Sequence, residues 1–125
     1  MGIRIVLALS ALIWLPYGIF CFLQPGALAQ SAQVVATGPT GTVELRAMYG
    51  GLQAAIGVLC ALAIFRPTLE RPALVLLISV FAGLGIARLL GGLIAGEFST
   101  YNVGALIFEW GGAALCIWLL PRSKA

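Results

Sequence analysis

The chain has 125 residues, of which 62% are hydrophobic and 9% charged, with a formal charge of +3. Its mean hydropathy is +1.09, and since soluble domains carry about 25% charged residues, a soluble globular fold is excluded. The positive balance does not point to nucleic acid either, because the basic residues are scattered at the ends of apolar segments rather than gathered on one face.

An apolar run of about 20 residues crosses a hydrocarbon core of roughly 30 Å, and four such runs fit with little chain left over. The first covers residues 3–23, with Arg4 near its start and Pro16 inside it, where the missing backbone donor predicts a kink. Gln24-Pro25-Gly26 ends it. Arg4, the apolar stretch and Ala27-Leu28-Ala29 ahead of Gln30 also have the layout of a cleavable secretory signal. The apolar stretch exceeds the usual ~7–15 residues of such a signal, so a retained helix is the expectation.

Residues 30–42 read as a polar loop of small residues, with Gly38-Pro39 and Gly41 but no Lys or Arg. The second run covers residues 43–65, with Thr42 as its expected N-cap and Glu44 in its first turn, where the helix dipole favours an acid. Residues 66–72 form a short charged turn. Pro67 stops one helix there, and Pro72 suits the first position of the next. The third run covers 73–95, followed by a brief loop over 96–101. Asn102 is placed to cap the fourth, 103–120, which Pro121 ends before the basic tail Arg122-Ser123-Lys124-Ala125.

With the N-terminus inside, the inner regions hold Arg4, Arg66, Arg71, Arg122 and Lys124, and the outer loops hold no Lys or Arg. That is the positive-inside pattern. The expected fold is a single-domain, all-α, antiparallel up-down four-helix transmembrane bundle over residues 1–125. Both termini are expected to be cytoplasmic, in a multi-pass protein of a bacterial cytoplasmic (inner) membrane.

The inventory of reactive groups is poor. Neither His nor Asp occurs, which removes the usual general base, the commonest metal ligand and the ordinary axial ligand to haem. Cys21, Cys60 and Cys116 fall singly in three apolar runs, without the spacing of a redox or zinc motif, and are expected to pack as small hydrophobes. No catalytic residue, metal or cofactor is expected. Small residues recur along the runs, notably Gly50, Ala54 and Gly57 in the second and Gly83, Ala87 and Gly91 in the third. They suit close helix approach, either inside the bundle or at an oligomer face.

Arg88 and Glu109 stand inside the third and fourth runs, where a full charge costs roughly 2.5–3.5 kcal/mol unless paired or hydrated. From a helical rise of about 1.5 Å per residue they lie roughly 12 and 10 Å below the outer ends of their helices. Antiparallel neighbours would therefore hold them level, and the planar guanidinium can meet a carboxylate at two points. On the second run Arg46, Tyr49, Gly50 and Gln53 share one α-helical face. With Glu44 the charges of the group cancel, and Tyr17 and Asn102 are further candidates. Such a cluster has three readings: a neutral network fixing helix register, a polar-floored pocket for a lipid head group or quinone, or a transport path through Glu109. Phe98 and Tyr101 are assigned to the outer boundary, Phe65 and Trp118 to the inner one, and Trp14 and Trp110 to core packing.

The segment from Glu44 through Gln53 (Glu-Leu-Arg-Ala-Met-Tyr-Gly-Gly-Leu-Gln), then Arg71-Pro72-Ala73-Leu74 leading to Arg88, then Asn102 and Glu109, resembles a bacterial family of four-helix integral membrane proteins. The family is catalogued as a domain of unknown function, the DUF4345 type. The resemblance covers nearly the whole chain, is most specific in the second run, and implies the four-helix bundle without supplying any catalytic role. The size and helix number are also loosely similar to small four-helix quinone-linked proteins of the DoxX type, with which no motif is shared. The expected function is non-enzymatic binding of a lipid-like or quinone-like molecule at Glu44, Arg46, Tyr49, Gln53, Arg88, Asn102 and Glu109. The alternatives are an accessory subunit of a larger membrane complex and a small oligomeric transporter. The expected partners are the lipid bilayer, that ligand, and further copies of the chain or a larger complex, with no nucleic acid.

Overall fold

A computed structural model describes residues 2–122, which are helices and short connections with no strand among them. Helix α1 is Gly2–Leu23 and continues through Pro16. A 3-10 turn at Pro25–Ala27 leads into α2, the single turn Leu28–Ser31. Helix α3 runs from Pro39 to Phe65 and is composite: α-helical over Pro39–Leu45, π-helical over Arg46–Gly51, and α-helical again over Leu52–Phe65. After a 3-10 turn at Pro67–Leu69 come α4, Glu70–Ala95, and α5, Thr100–Leu119, the latter ending in a 3-10 turn at Leu120–Arg122.

Four of these helices are long and apolar enough to cross a membrane: α1, α3, α4 with its preceding turn, and α5 with its following one. They also carry large apolar side chains outward, such as Leu12 at 70%, Ile94 at 88% and Ile107 at 70% exposure. A soluble protein would bury these. Here the hydrocarbon around the bundle solvates them, while the helical backbone satisfies its own polar groups along the spans.

Three helix starts differ from expectation. Gly38, extended at φ −173°, caps α3, and Pro39 takes the first helical position, for which its fixed φ is suited. Thr42 is therefore already inside the helix, its hydroxyl donating back to the Gly38 carbonyl at 3.2 Å, and Glu44 moves into the second turn. Helix α4 begins at Glu70, ahead of Pro72. The proline is tolerated at the third position because the first N–H groups of a helix have no internal partner. Ser99 caps α5, its hydroxyl accepting from the Asn102 N–H at 3.4 Å, so Asn102 is not the cap and its side chain is left for another task. Part of the expected loop over 30–42 is helical at both of its ends.

The bundle is two tight antiparallel pairs, α1 with α3 and α4 with α5, which meet each other more sparsely. The first pair is joined backbone to backbone. A methyl group at Gly18 would stand 2.7 Å from the Gly50 carbonyl and closer still to the Ala54 nitrogen, and one at Gly57 would stand 2.5 Å from the Leu15 nitrogen. Only glycine permits that approach. The stripe on α4 behaves otherwise, since methyl groups at Gly83 and Gly91 would meet nothing within 4 Å. Among the described residues those two are not points of close helix approach.

Between the pairs lies the apolar core, built around Leu7, Trp14, Ile56, Cys60, Leu77, Phe81 and Cys116. The three cysteines are all buried and unbridged. Arg4, Arg66, Arg71 and Arg122 gather at the end of the bundle that holds the described termini, while Lys124 lies outside the described residues. At that end Arg4 Nε stands 3.7 Å from an oxygen of Glu70, which is buried in the first turn of α4 where the dipole welcomes an acid. The opposite end holds the α1–α3 and α4–α5 connections, and Tyr49, Gln53, Arg88 and Glu109 lie toward it.

Candidate functional site

Arg88 comes from α4, seven residues before its last, and Glu109 from the middle of α5. The short 96–99 connection forces the helices to run side by side, and Gly96 makes the turn possible with φ +64°. The guanidinium and carboxylate meet as two flat groups. Arg88 Nε donates to both carboxylate oxygens at 3.1 Å, and Nη2 donates to Oε1 at 2.7 Å. The Glu109 side chain is 4% exposed and that of Arg88 24%. Nη1 donates to the side-chain oxygen of Asn102 at 3.2 Å, and the Tyr101 ring centroid lies 5.8 Å from the guanidinium carbon. These contacts engage three of the five guanidinium N–H bonds, one each on Nε, Nη1 and Nη2, and leave two for another acceptor.

The pair forms one wall of a cavity of about 390 Å³ that reaches all four spanning helices. Tyr49 and Gln53 of α3 line it with Arg88, Asn102 and Glu109. So five of the seven residues singled out from the sequence come together. Its volume falls within the range of about 300–1,000 Å³ typical of small-molecule sites. Tyr17 and Tyr101 also line it and are 38% and 42% exposed, which puts its rim at the bundle surface. Ala32 and Val34, from the connection after α2, close it on the side of the loops. Gln33 between them holds a left-handed φ of 56°, unusual for a residue other than glycine.

Arg46 and Glu44 are not brought there. Arg46 opens the π-helical turn, in which the Leu52 N–H bonds back five residues to the Ala47 carbonyl. In an unbroken α-helix Arg46 and Gln53, seven residues apart, would share a face. The one extra residue in the wide turn rotates them apart by about 100°. Arg46 instead reaches α1, where its Nε donates to the Phe22 carbonyl at 3.1 Å and its guanidinium lies 6.0 Å from the Phe22 ring centroid. That carbonyl belongs to the last turn of α1, where acceptors have no partner within the helix and the dipole is negative. The arginine is therefore a cap for α1. Glu44 is exposed and does not line the cavity.

Sequence reasoning assigned Trp14 to packing and Tyr101 to the boundary, yet both line the cavity. The packing role of Trp14 is real: it is 6% exposed, and its ring centroid lies 5.8 Å from that of Phe81, which in turn stands edge-on to Phe108. A signal for its second role was present, since Trp14 and Tyr17 are three apart on one face of α1. Among the described residues no three His, Cys, Asp or Glu come together as a metal would require. Chemically, the site offers a neutral floor, because the two full charges cancel, with an excess of hydrogen-bond donors along its walls.

The chain belongs to the family described as Domain of unknown function (DUF4345), whose model matches residues 2–120. Comparison with curated proteins and with solved structures gives no match.

Proposed function

We propose that this member of a family of unknown function is a membrane-embedded binding protein whose polar cavity receives the head of a lipid-like or quinone-like molecule. One observation carries the reading: a cavity of about 390 Å³ lies among apolar spans, yet is walled by Tyr49, Gln53, Arg88, Asn102 and Glu109. A network that only fixed helix register would need no such space. Ionisable groups within spans mark sites by default, and here the ion pair leaves donors over. The gathering of Arg4, Arg66, Arg71 and Arg122 at one end supports termini on the cytoplasmic side of an inner membrane, with the cavity toward the outer leaflet.

The test is mass spectrometry of small molecules retained by the protein after mild detergent extraction. The double variant Tyr49→Phe/Gln53→Leu is expected to retain at least about tenfold less of the bound molecule, the loss of roughly 1.4 kcal/mol or more that two hydrogen bonds represent. Arg46→Ala, on the other face of α3, is expected to retain the wild-type amount. Equal retention in both variants, or no retained molecule in the wild type, would return the cluster to a purely structural role.

A further inference from the structure

The indole nitrogen of Trp14 is buried and has no hydrogen-bond partner among the described residues. An indole N–H can only donate, and a buried donor without an acceptor is a standing penalty that native proteins rarely carry. The residue that bears it is more than nine-tenths buried and lines the polar cavity. It also lines a second cavity of about 320 Å³ between α1 and α5, and the two share Ile13, Trp14 and Phe108 as a common wall. The second space is apolar except for Ser10, and its lining includes Leu9 and Ile107, which are 54% and 70% exposed on the outside of the bundle. It follows the seam where α1 and α5 meet sparsely.

We infer that the ligand is an uncharged, carbonyl-bearing head on a single apolar tail, with the head accepting from Trp14 in the polar cavity and the tail lying in the α1–α5 seam. The inference rests on the binding reading above and adds the class of ligand and its route. The head is uncharged because Arg88 and Glu109 already neutralise one another at 2.7 Å, so an ionic head would enter a low-dielectric site without a counter-charge. It is an acceptor because Trp14 can only donate and Arg88 keeps two N–H bonds in hand. The tail takes the seam because that space adjoins the head site at Ile13, Trp14 and Phe108, is apolar except for Ser10, and reaches the outside of the bundle at Leu9 and Ile107. Entry is lateral, from within the bilayer.

The test uses the full chain in phosphatidylcholine nanodiscs, with Trp110→Phe and Trp118→Phe leaving Trp14 as the sole tryptophan. Two uncharged probes are titrated, a monoacylglycerol brominated at mid-chain and a benzoquinone with a ten-carbon tail, against a brominated phosphatidylglycerol as the anionic, two-tailed comparison. Saturable quenching of Trp14 by at least one uncharged probe is expected, and which of them saturates first tells an ester head from a ring carbonyl. Gly111→Phe fills the seam at a position where an added carbon meets nothing within 4 Å, and is expected to weaken binding at least tenfold. Gly111→Leu is expected to weaken it less and serves if circular dichroism shows the phenylalanine variant misfolded. Gly83→Phe fills the rival tail space between α3 and α4, which also adjoins the head site, at Trp14, Tyr49, Gln53 and Leu84, and also has open room at Gly83; it is expected to change binding by less than twofold. If Tyr49→Phe/Gln53→Leu weakens binding and Gly111→Phe and Gly111→Leu do not, or if Gly83→Phe does so instead, the cavity stands and the seam route is overturned. Tighter saturation by the phosphatidylglycerol overturns the uncharged head. No saturable quenching by any probe removes both the route and the binding reading.

Discussion

The two helix pairs solve the same packing problem by opposite means. Helices α1 and α3 touch backbone to backbone across Gly18 and Gly57, so closely that no side chain fits between them. Helices α4 and α5 are joined instead through bulk and charge, with the Phe81 ring lying against Gly112 and Arg88 reaching across to Glu109. In lipid neither pair gains from hiding apolar surface, because the surroundings are as apolar as leucine. The first pair relies on dispersion at short range, which excludes every third party. The second relies on bulk and on a polar bridge, and the cavity forms beside that bridge, where the two pairs face each other. Tight packing and a polar cavity thus follow from which residues stand at the contact, on helices that are otherwise alike in length and hydropathy.

Substitutions can separate the two solutions. The largest effect is expected from Glu109→Ala, which leaves the Arg88 guanidinium without its counter-charge in a low-dielectric site. A loss of about 3–5 kcal/mol should appear in reversible unfolding in mixed micelles. The double variant Arg88→Met/Glu109→Leu should recover most of that loss. If it does not, the bridge contributes more than mutual neutralisation.

Next comes Gly18→Ala, whose methyl group would press on the backbone of α3. Overpacking of this kind costs about 1–3 kcal/mol, and unlike the first effect it should be insensitive to any change at Glu109. A strong coupling between the two would mean that the pairs are not independent. Arg46→Ala removes an exposed charged donor from the Phe22 carbonyl, so a loss below about 1 kcal/mol is expected, read as earlier fraying of the α1 end in hydrogen exchange. The smallest change is expected from Gly104→Ala on α5. An added carbon there meets nothing within 4 Å, and the gain in helix propensity is at most about 1 kcal/mol, visible as a slightly higher unfolding midpoint.

Much of the architecture is legible in local pattern. Four apolar runs of sufficient length define the spans, because hydrocarbon thickness sets a minimum that composition alone reveals. The heights of Arg88 and Glu109 follow from counting residues back from a short connection, since antiparallel neighbours share a depth scale. The same arithmetic failed for Arg46. A seven-residue spacing places it beside Gln53 only while the helix stays α, and nothing local announces the π-helical turn between them. The residue types of Thr42 and Asn102 favour a cap, but Gly38-Pro39 and Ser99 lie nearby and take that position.

The sequence by itself determined that this chain is a helical membrane protein with four spans, most of its basic residues at one end and two opposite charges at matching depth, because those properties depend on length, period and composition. Only the tertiary structure decided that Arg46 caps α1 rather than facing Gln53, that Gly50 and Gly57 of α3 meet α1 while added carbons at Gly83 and Gly91 on α4 meet nothing, and that Trp14 brings a buried donor, unmatched among the described residues, to the wall between two cavities. Each of those depends on which atoms of a distant segment arrive opposite, and that is set by helix rotation and by the fit of whole faces.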